Sequence, residues 1–326
     1  MHPLTDETIK YEYLFRVNRA IDYVHAHYAE DLNLNKLAQI ACFSPFHFHR
    51  LFRLVTGETV NDFSRRIRLE KSLHKLVLDK GKSITEIAME CGFSSSQNFA
   101  KVFKARYGVT PSHIKSTYSF GNVATMMMKN LDSNNGEKSP QTNALSDHHF
   151  DSRHPSRIGE SITRQPAPDV KVVDAPDVRV AYVRNHGPYN KKAITPSFAK
   201  LEQWAAPKQL IENGSVILGV LWSKPDVTPE DKMIFDACIT VPKSINADKW
   251  VNIQMLPGGK FAVYHCEVES NGEIEAWIHL VLNWLISSGY QPDERPLYQI
   301  YYNDPETHPL KHQILDLCLP IKPLYE

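Results

Sequence analysis

Two stretches of the chain set polar side chains opposite an apolar helical face, with residue types suited to reading a nucleic acid. In "FSPFHFHRLFRLVTG" (43–57), Phe48, Leu51, Phe52 and Val55 recur at the spacing that buries one face of a helix, which leaves Phe46, His49, Arg50 and Arg53 on the other. In "CGFSSSQNFAKVFKARYG" (91–108), Phe99, Val102 and Phe103 face inward, and Ser96, Gln97, Lys101 and Lys104 face out. Arg and Lys can bond guanine O6 and N7, Gln can bond adenine, and Phe can lie against a thymine methyl group. Arg53 and Lys104 read equally as phosphate contacts or as solvated surface charge.

Side chains of this kind must be held at a fixed distance and angle, and the surrounding sequence supplies the means. "LNKLAQIACFSPFHFHRLFRLVTG" (34–57) superimposes on "ITEIAMECGFSSSQNFAKVFKARYG" (84–108), with Leu37-Ala38 over Ile87-Ala88 and Phe43-Ser44 over Phe93-Ser94. The second copy carries one extra residue at the turn. Each copy reads as a short helix, a tight turn and a second helix, with a small Ala where the two helices cross closely. Between the copies a helix is predicted from about Thr59 to Asp79, about 30 Å long, close to the roughly 34 Å pitch of DNA. A plain helical bundle has no need of that spacing. Hydroxyl-x-x-acid starts stand at Thr59–Asp62 and Ser83–Glu86, and Thr110-Pro111 is a third helix start.

The run "ITEIAMECGFSSSQNFAKVFKARYGVTPSHIK" together with "RRIRLEKSLHKLV" resembles the DNA-binding domain of the AraC/XylS transcription regulators, and the resemblance covers residues 12–118. It implies two helix-turn-helix units joined by a linker helix, binding to double-stranded promoter DNA, and a contact with RNA polymerase. It places base contacts on Phe46, His49, Arg50, Ser96, Gln97 and Lys101.

Composition agrees with a divided chain. Of 326 residues, 37 are Lys or Arg and 37 are Asp or Glu, a net charge of zero. The first 118 residues hold 17 basic against 12 acidic, and the rest hold 20 against 25. The basic half suits a polyanionic partner. No apolar run approaches membrane length and the N-terminus lacks a secretory pattern, so a cytoplasmic protein with no membrane partner is expected. Five cysteines without a CxxC pair suit buried, reduced thiols, and no metal or other cofactor is expected. Residues 119–168, rich in Ser, Asn, Asp, His and Pro, read as a flexible linker.

Residues 169–326 read as an α+β domain with strands at 178–184, 216–222, 234–241, 260–268, 296–302 and 314–321, and with helices around Phe198–Trp204 and Ile278–Trp284. This half also repeats, at an offset of 80: Trp204 with Trp284, Asp236 with Asp316, Cys238 with Cys318. Each unit is strand, helix, strand, strand, and two units predict one sheet with a ligand site at the seam between halves. Tyr189, Trp222 and Tyr301 are candidate stacking walls, or simply core aromatics. The fold class expected is therefore multidomain, an all-α tandem helix-turn-helix domain followed by a duplicated α+β effector-binding domain.

"VAYVRNHGPY" (180–189), "LPGGKFAVY" (256–264) and "RPLYQIYYND" (295–304) resemble the GyrI-like effector-binding domain. The resemblance implies a site for a small amphipathic ligand and a Glu in the strand after "RP", where this chain has Gln299. An amide brings no charge to offset a buried cation. The expected whole is a ligand-responsive regulator, an activator by analogy. The rivals are a hydrolase, against which Gln299 argues because an amide cannot act as a general base, and a drug-sequestering module without an allosteric role.

Overall fold

Every short helix of the N-terminal half begins where a side-chain oxygen can accept a hydrogen bond from an otherwise unpaired N–H. The computed structural model describes residues 6–117, 165–223, 228–269 and 272–324. The predicted linker, 119–168, lies outside the described residues except for its last four. Helix α1 spans Asp6–Ala26, α2 Leu34–Ile40, α3 Pro45–Thr56, α4 Val60–Leu78, α5 Ile84–Glu90, α6 Ser96–Tyr107 and α7 Pro111–Thr117. Asn33, Ser44, Thr59, Ser83 and Ser95 cap α2 to α6, and Ser83 and Glu86 form the reciprocal capping box. The extra residue of the second copy falls just before its cap, since Ser95 takes the role of Ser44. Both recognition helices end at a left-handed glycine, Gly57 (φ 69°) and Gly108 (φ 76°).

The linker helix α4 serves both copies. Its first half contributes Val60, Phe63 and Ile67 to a core with α1, α2 and α3; its second half contributes Leu69, Leu73, Leu76 and Val77 to a core with α5 and α6. Arg68, between these halves, donates to the carbonyls of Tyr28 at 2.7 Å and Gly92 at 2.9 Å, and also to that of Glu30. One guanidinium thus ties the end of α1 to the turn of the second copy, which sets the angle between the two units.

In the second domain the strands are β1 Val170–Ala175, β2 Val178–His186, β3 Ile217–Leu221, β4 Ile234–Thr240, β5 Asn252–Leu256, β6 Gly259–Val268, β7 Tyr290–Pro292, β8 Leu297–Tyr301 and β9 Gln313–Pro323. All pair antiparallel in the order β1-β6-β9-β8-β3-β4-β2-β5, with β7 on β9. The helices are α8, Lys191–Ala205, and α9, Glu273–His279, which continues through a π turn to Trp284. The offset of 80 extends to the unforeseen β1 and β5, so the repeat is strand, strand, helix, strand, strand. Each first strand pairs in the other half: β1 with β6, β5 with β2.

β1 stands at one end of the sheet order and β2 next to the other end, yet two residues connect them. That is possible only because the sheet curls until its corners meet. Gly258 N–H donates to Asp177 Oδ1 at 2.7 Å, and a Cβ on Gly258 would lie 2.3 Å from the carbonyl oxygen of Ala175. Arg295, of the "RP" motif, clasps the corner by donating to the carbonyls of Gly258 at 2.5 Å and Lys260 at 2.7 Å.

The cysteines depart from expectation in one respect. Cys91, Cys238, Cys266 and Cys318 are buried and unbridged, but Cys42 is exposed. It occupies the helix-turn-helix corner at φ 54°, where the second copy has Gly92 at φ 78°. The turn needs a left-handed residue there, and its direction takes the side chain out of the core. No described helix is long and apolar enough to cross a membrane.

Candidate nucleic-acid interface and ligand seam

Burial of Phe48 and Phe52 in α3, and of Phe99 and Phe103 in α6, turns the opposite faces outward. Phe46 is 76 % exposed, and Arg50, Arg53, Gln97, Lys101 and Lys104 are exposed; His49 and Ser96 are half-buried. Arg50 lies 6.0 Å from the centre of the Phe46 ring. Among the described residues, the side chains of His49, Arg53, Gln97, Lys101 and Lys104 have no hydrogen-bond or ion-pair partner within the chain. Their donors are available to a ligand without breaking anything first. Leu54, 81 % exposed on α3, was not singled out from sequence, where it reads as one more apolar helical residue.

The four residues expected to line the ligand site divide between two faces of the sheet. Gln299 and Tyr301 alternate along β8 and point toward α8 and α9. The Tyr301 hydroxyl donates to Gln299 Oε1 at 2.7 Å, and its ring meets Phe198 of α8 edge-on at 5.4 Å. Phe198 in turn meets Phe235 at 5.8 Å, and Phe235 meets Tyr189 at 6.0 Å. Gly219 stands opposite Gln299 in register; a Cβ there would come within 2.5 Å of Phe235 and 2.9 Å of the Tyr301 hydroxyl. The seam is thus filled by its own aromatic rings. Burial pushes the Tyr301 phenol up, and Glu273, at the start of α9, adds to the rise; burial also raises the Glu273 carboxyl. Tyr189 is fixed at the margin, donating to the carbonyl of Ile234 at 2.5 Å and accepting from Ser223 N–H at 3.0 Å.

Trp222 lies on the opposite face. Side chains alternate across a strand, so Leu221 joins the helix-side core while Trp222 joins the core that reaches α1 and α3. Its indole N–H donates to Asp236 Oδ2 at 2.7 Å, and its ring centre is 5.2 Å from that of His25 in α1.

This second face is where the helical domain sits. Arg184 of β2, 1 % exposed, pairs with the wholly buried Asp236 at 2.7 Å and with Asp22 of α1 at 2.8 Å. The Tyr182 hydroxyl also donates to Asp22. Burial raises the Asp22 carboxyl, and the Arg184 charge opposes the rise. At the rim, Glu294 accepts from Tyr28 at 2.6 Å and pairs with Lys75 at 2.5 Å, while Lys232 donates to the carbonyl of Thr56 at 3.1 Å. Against the burial that would raise it, the hydrogen bonds from Lys75 and Tyr28 hold the Glu294 carboxyl below its ordinary range. None of these contacts uses the outward residues of α3 or α6. The junction was missed from sequence, although Arg184 and Asp236, lone charges inside apolar strands, were a usable signal.

Comparison with known proteins agrees with this division. Residues 37–117 match a helix-turn-helix domain family, and residues 168–322 match the GyrI-like small-molecule-binding domains. A helix-turn-helix transcriptional regulator from the cgkA 5' region of Pseudoalteromonas carrageenovora is 38 % identical over 103 residues, 32 % of this chain and 60 % of that protein. The regulatory protein PocR of Salmonella typhimurium is 35 % identical over 29 % of this chain and 31 % of its own. The other half is similar to a DNA gyrase inhibitor of Yersinia enterocolitica, 28 % identical over 41 % of this chain and 86 % of that protein. The chain therefore spans 60 % of the length of the first relative and under a third of the second.

Proposed function

We propose that the chain, whose residues 37–117 match a helix-turn-helix domain family and whose residues 168–322 match the GyrI-like small-molecule-binding domains, is a cytoplasmic transcription regulator of the AraC type that reads promoter DNA and answers to a small amphipathic molecule. One observation carries the reading: two capped recognition helices, rooted in the two halves of one 19-residue helix, present exposed outward faces. Phe46, His49, Arg50, Ser96, Gln97 and Lys101 are the base-reading set, and Arg53 and Lys104 meet phosphate. Tandem units permit a single chain to bind an asymmetric site. The family resemblance supports activation through RNA polymerase.

The seam supports the ligand half of the proposal. Phe235 faces the seam and its neighbour Asp236 faces the junction; Leu221 and Trp222 divide in the same way. A ligand that displaces Phe235 or Tyr301 moves strands whose other side chains hold α1. The coupling must be reciprocal, so operator DNA changes ligand affinity by the same factor as ligand changes DNA affinity. Gln299 gives the seam a neutral amide, which favours uncharged aromatic molecules over lipophilic cations.

Selection of bound duplexes from a random pool, followed by footprinting with the full chain, tests the DNA reading. Arg50→Ala and Gln97→Ala should each cost about 1–3 kcal/mol and relax preference at separate major grooves, and Lys104→Ala should weaken all sequences alike. Sequence-blind, salt-sensitive binding by the wild type would sink the proposal.

A further inference from the structure

Among the described residues, one group of His and carboxylate side chains converges with metal-ligand spacing, away from both the seam and the recognition helices. Glu267 stands near the end of β6, and His308 and His312 lie in the loop between β8 and β9. Each can offer one ligand atom, and these atoms lie within 4.8 Å of one another. Glu267 Oε1 is 2.7 Å from His312 Nδ1 and 3.9 Å from His308 Nε2, and the two imidazole rings stack at 5.7 Å.

The loop holds these groups in place. Asn303 donates to the carbonyl of His312 at 2.9 Å and accepts from Ile314 N–H at 2.7 Å and from the Gln313 amide at 2.9 Å. Lys311 adopts a left-handed φ of 58°, which turns the chain so that His312 faces Glu267. His265, two residues before Glu267, makes a contrast: it pairs with Asp316 at 2.7 Å, and the other Asp316 oxygen accepts from Tyr302 at 2.7 Å.

We propose that Glu267, His308 and His312 form a binding site for a divalent transition-metal ion of the zinc class. Two imidazoles and a carboxylate are borderline donors that suit Zn²⁺, Co²⁺ or Ni²⁺ in preference to Mg²⁺ or Ca²⁺. All three residues reach solvent, so water completes the coordination. Bond lengths of about 2.0–2.2 Å require only side-chain adjustment from the present spacing. The hydrogen bonds define the tautomers that must change. His308 Nδ1 accepts from His312 N–H at 3.3 Å, so its proton sits on Nε2. Ligation through Nε2 moves that proton to Nδ1 and gives up the long backbone bond, which makes the site weaker than a closed structural zinc site. An ion here ties β6 to the loop that follows Tyr301.

The test uses the full chain, stripped with chelator and titrated with Zn²⁺ against a chromogenic chelator, and with Co²⁺ followed by its visible absorption. One ion per chain is expected in the wild type. His308→Ala, His312→Ala and Glu267→Gln should each weaken binding at least about tenfold and abolish the Co²⁺ spectrum, while His265→Ala leaves both unchanged. Wild-type affinity in the His308→Ala/His312→Ala double variant would overturn the proposal, and so would absence of the Co²⁺ spectrum from the wild type.

Discussion

The two faces of the curled sheet are built from the same strands and do opposite things. On the helix side, Tyr301, Phe198, Phe235 and Tyr189 fill the seam with aromatic rings, and the polar group is a neutral amide. On the other side, Arg184 and Asp236 are charges taken out of water, and the half-buried Asp22 joins them where the helical domain docks. Aromatic packing is adaptable, since rings can be displaced by another apolar body at modest cost. A buried ion pair is all-or-none, because losing one member leaves the other uncompensated. The difference suits a molecule whose seam yields to a ligand while its junction holds one geometry.

The strongest way to break the contrast is at Arg184. Arg184→Ala leaves the Asp236 charge buried with hydrogen-bond donors but no counter-charge, and about 3–5 kcal/mol of stability should disappear in urea-induced unfolding of the full chain. The double variant Arg184→Met/Asp236→Leu should recover most of it. A loss below about 1 kcal/mol in the single variant would show that water reaches the junction and that the charges are ordinary surface ones.

Acid provides a second probe of the same face. His25 and His186 both have Nε2 shut off from solvent without a partner, and burial lowers both, His186 to about 4. The unfolded chain, with His near 6.5, then binds more protons than the folded one between about 4 and 6.5. Stability is therefore complete above about pH 6.5 and falls on acidification, by roughly 1.4 kcal/mol per pH unit for each histidine kept neutral. Asp22, raised by burial, takes up a proton in the opposing sense and reduces the slope. Thermal melts at pH 7 and pH 5 measure the net effect, and His186→Gln should flatten the difference.

Changes in the seam should cost less and affect ligand more. Gly219→Ala drives a methyl group against Phe235 and the Tyr301 hydroxyl, a cost of about 1–3 kcal/mol in unfolding, and should block ligand entry. Smallest in stability, at about 1 kcal/mol, should be Tyr301→Phe, which leaves Gln299 Oε1 short of its donor. Gln299→Glu should move preference toward cationic aromatic ligands, read by titrating matched neutral and cationic compounds while DNA affinity without ligand stays unchanged. Tight cation binding by the wild type, unaltered in Gln299→Glu, would assign the charge preference elsewhere, with Glu273, which acts on the Tyr301 phenol, the carboxylate to examine.

What the sequence by itself determined is whatever depends on neighbours along the chain. Helix starts at Thr59, Ser83 and Thr110 are legible because a cap acts within three residues, and the outward sets on α3 and α6 follow from helical period alone. Both duplications are legible as repeated side-chain patterns. β1 escaped because four of its six residues are exposed at the sheet edge and carry no apolar alternation, and β5 because five residues, although they alternate from Asn252 to Met255, are too short a run to stand out. Tertiary structure alone decided the rest. That Trp222 lies on the junction side, away from Gln299 and Tyr301, depends on where β3 ends and on what covers its far face. That His25 meets Trp222, and Asp22 meets Arg184, depends on docking between residues more than 160 positions apart in the chain. Local pattern shows which side chains leave water; only the assembled sheet shows which of them meet.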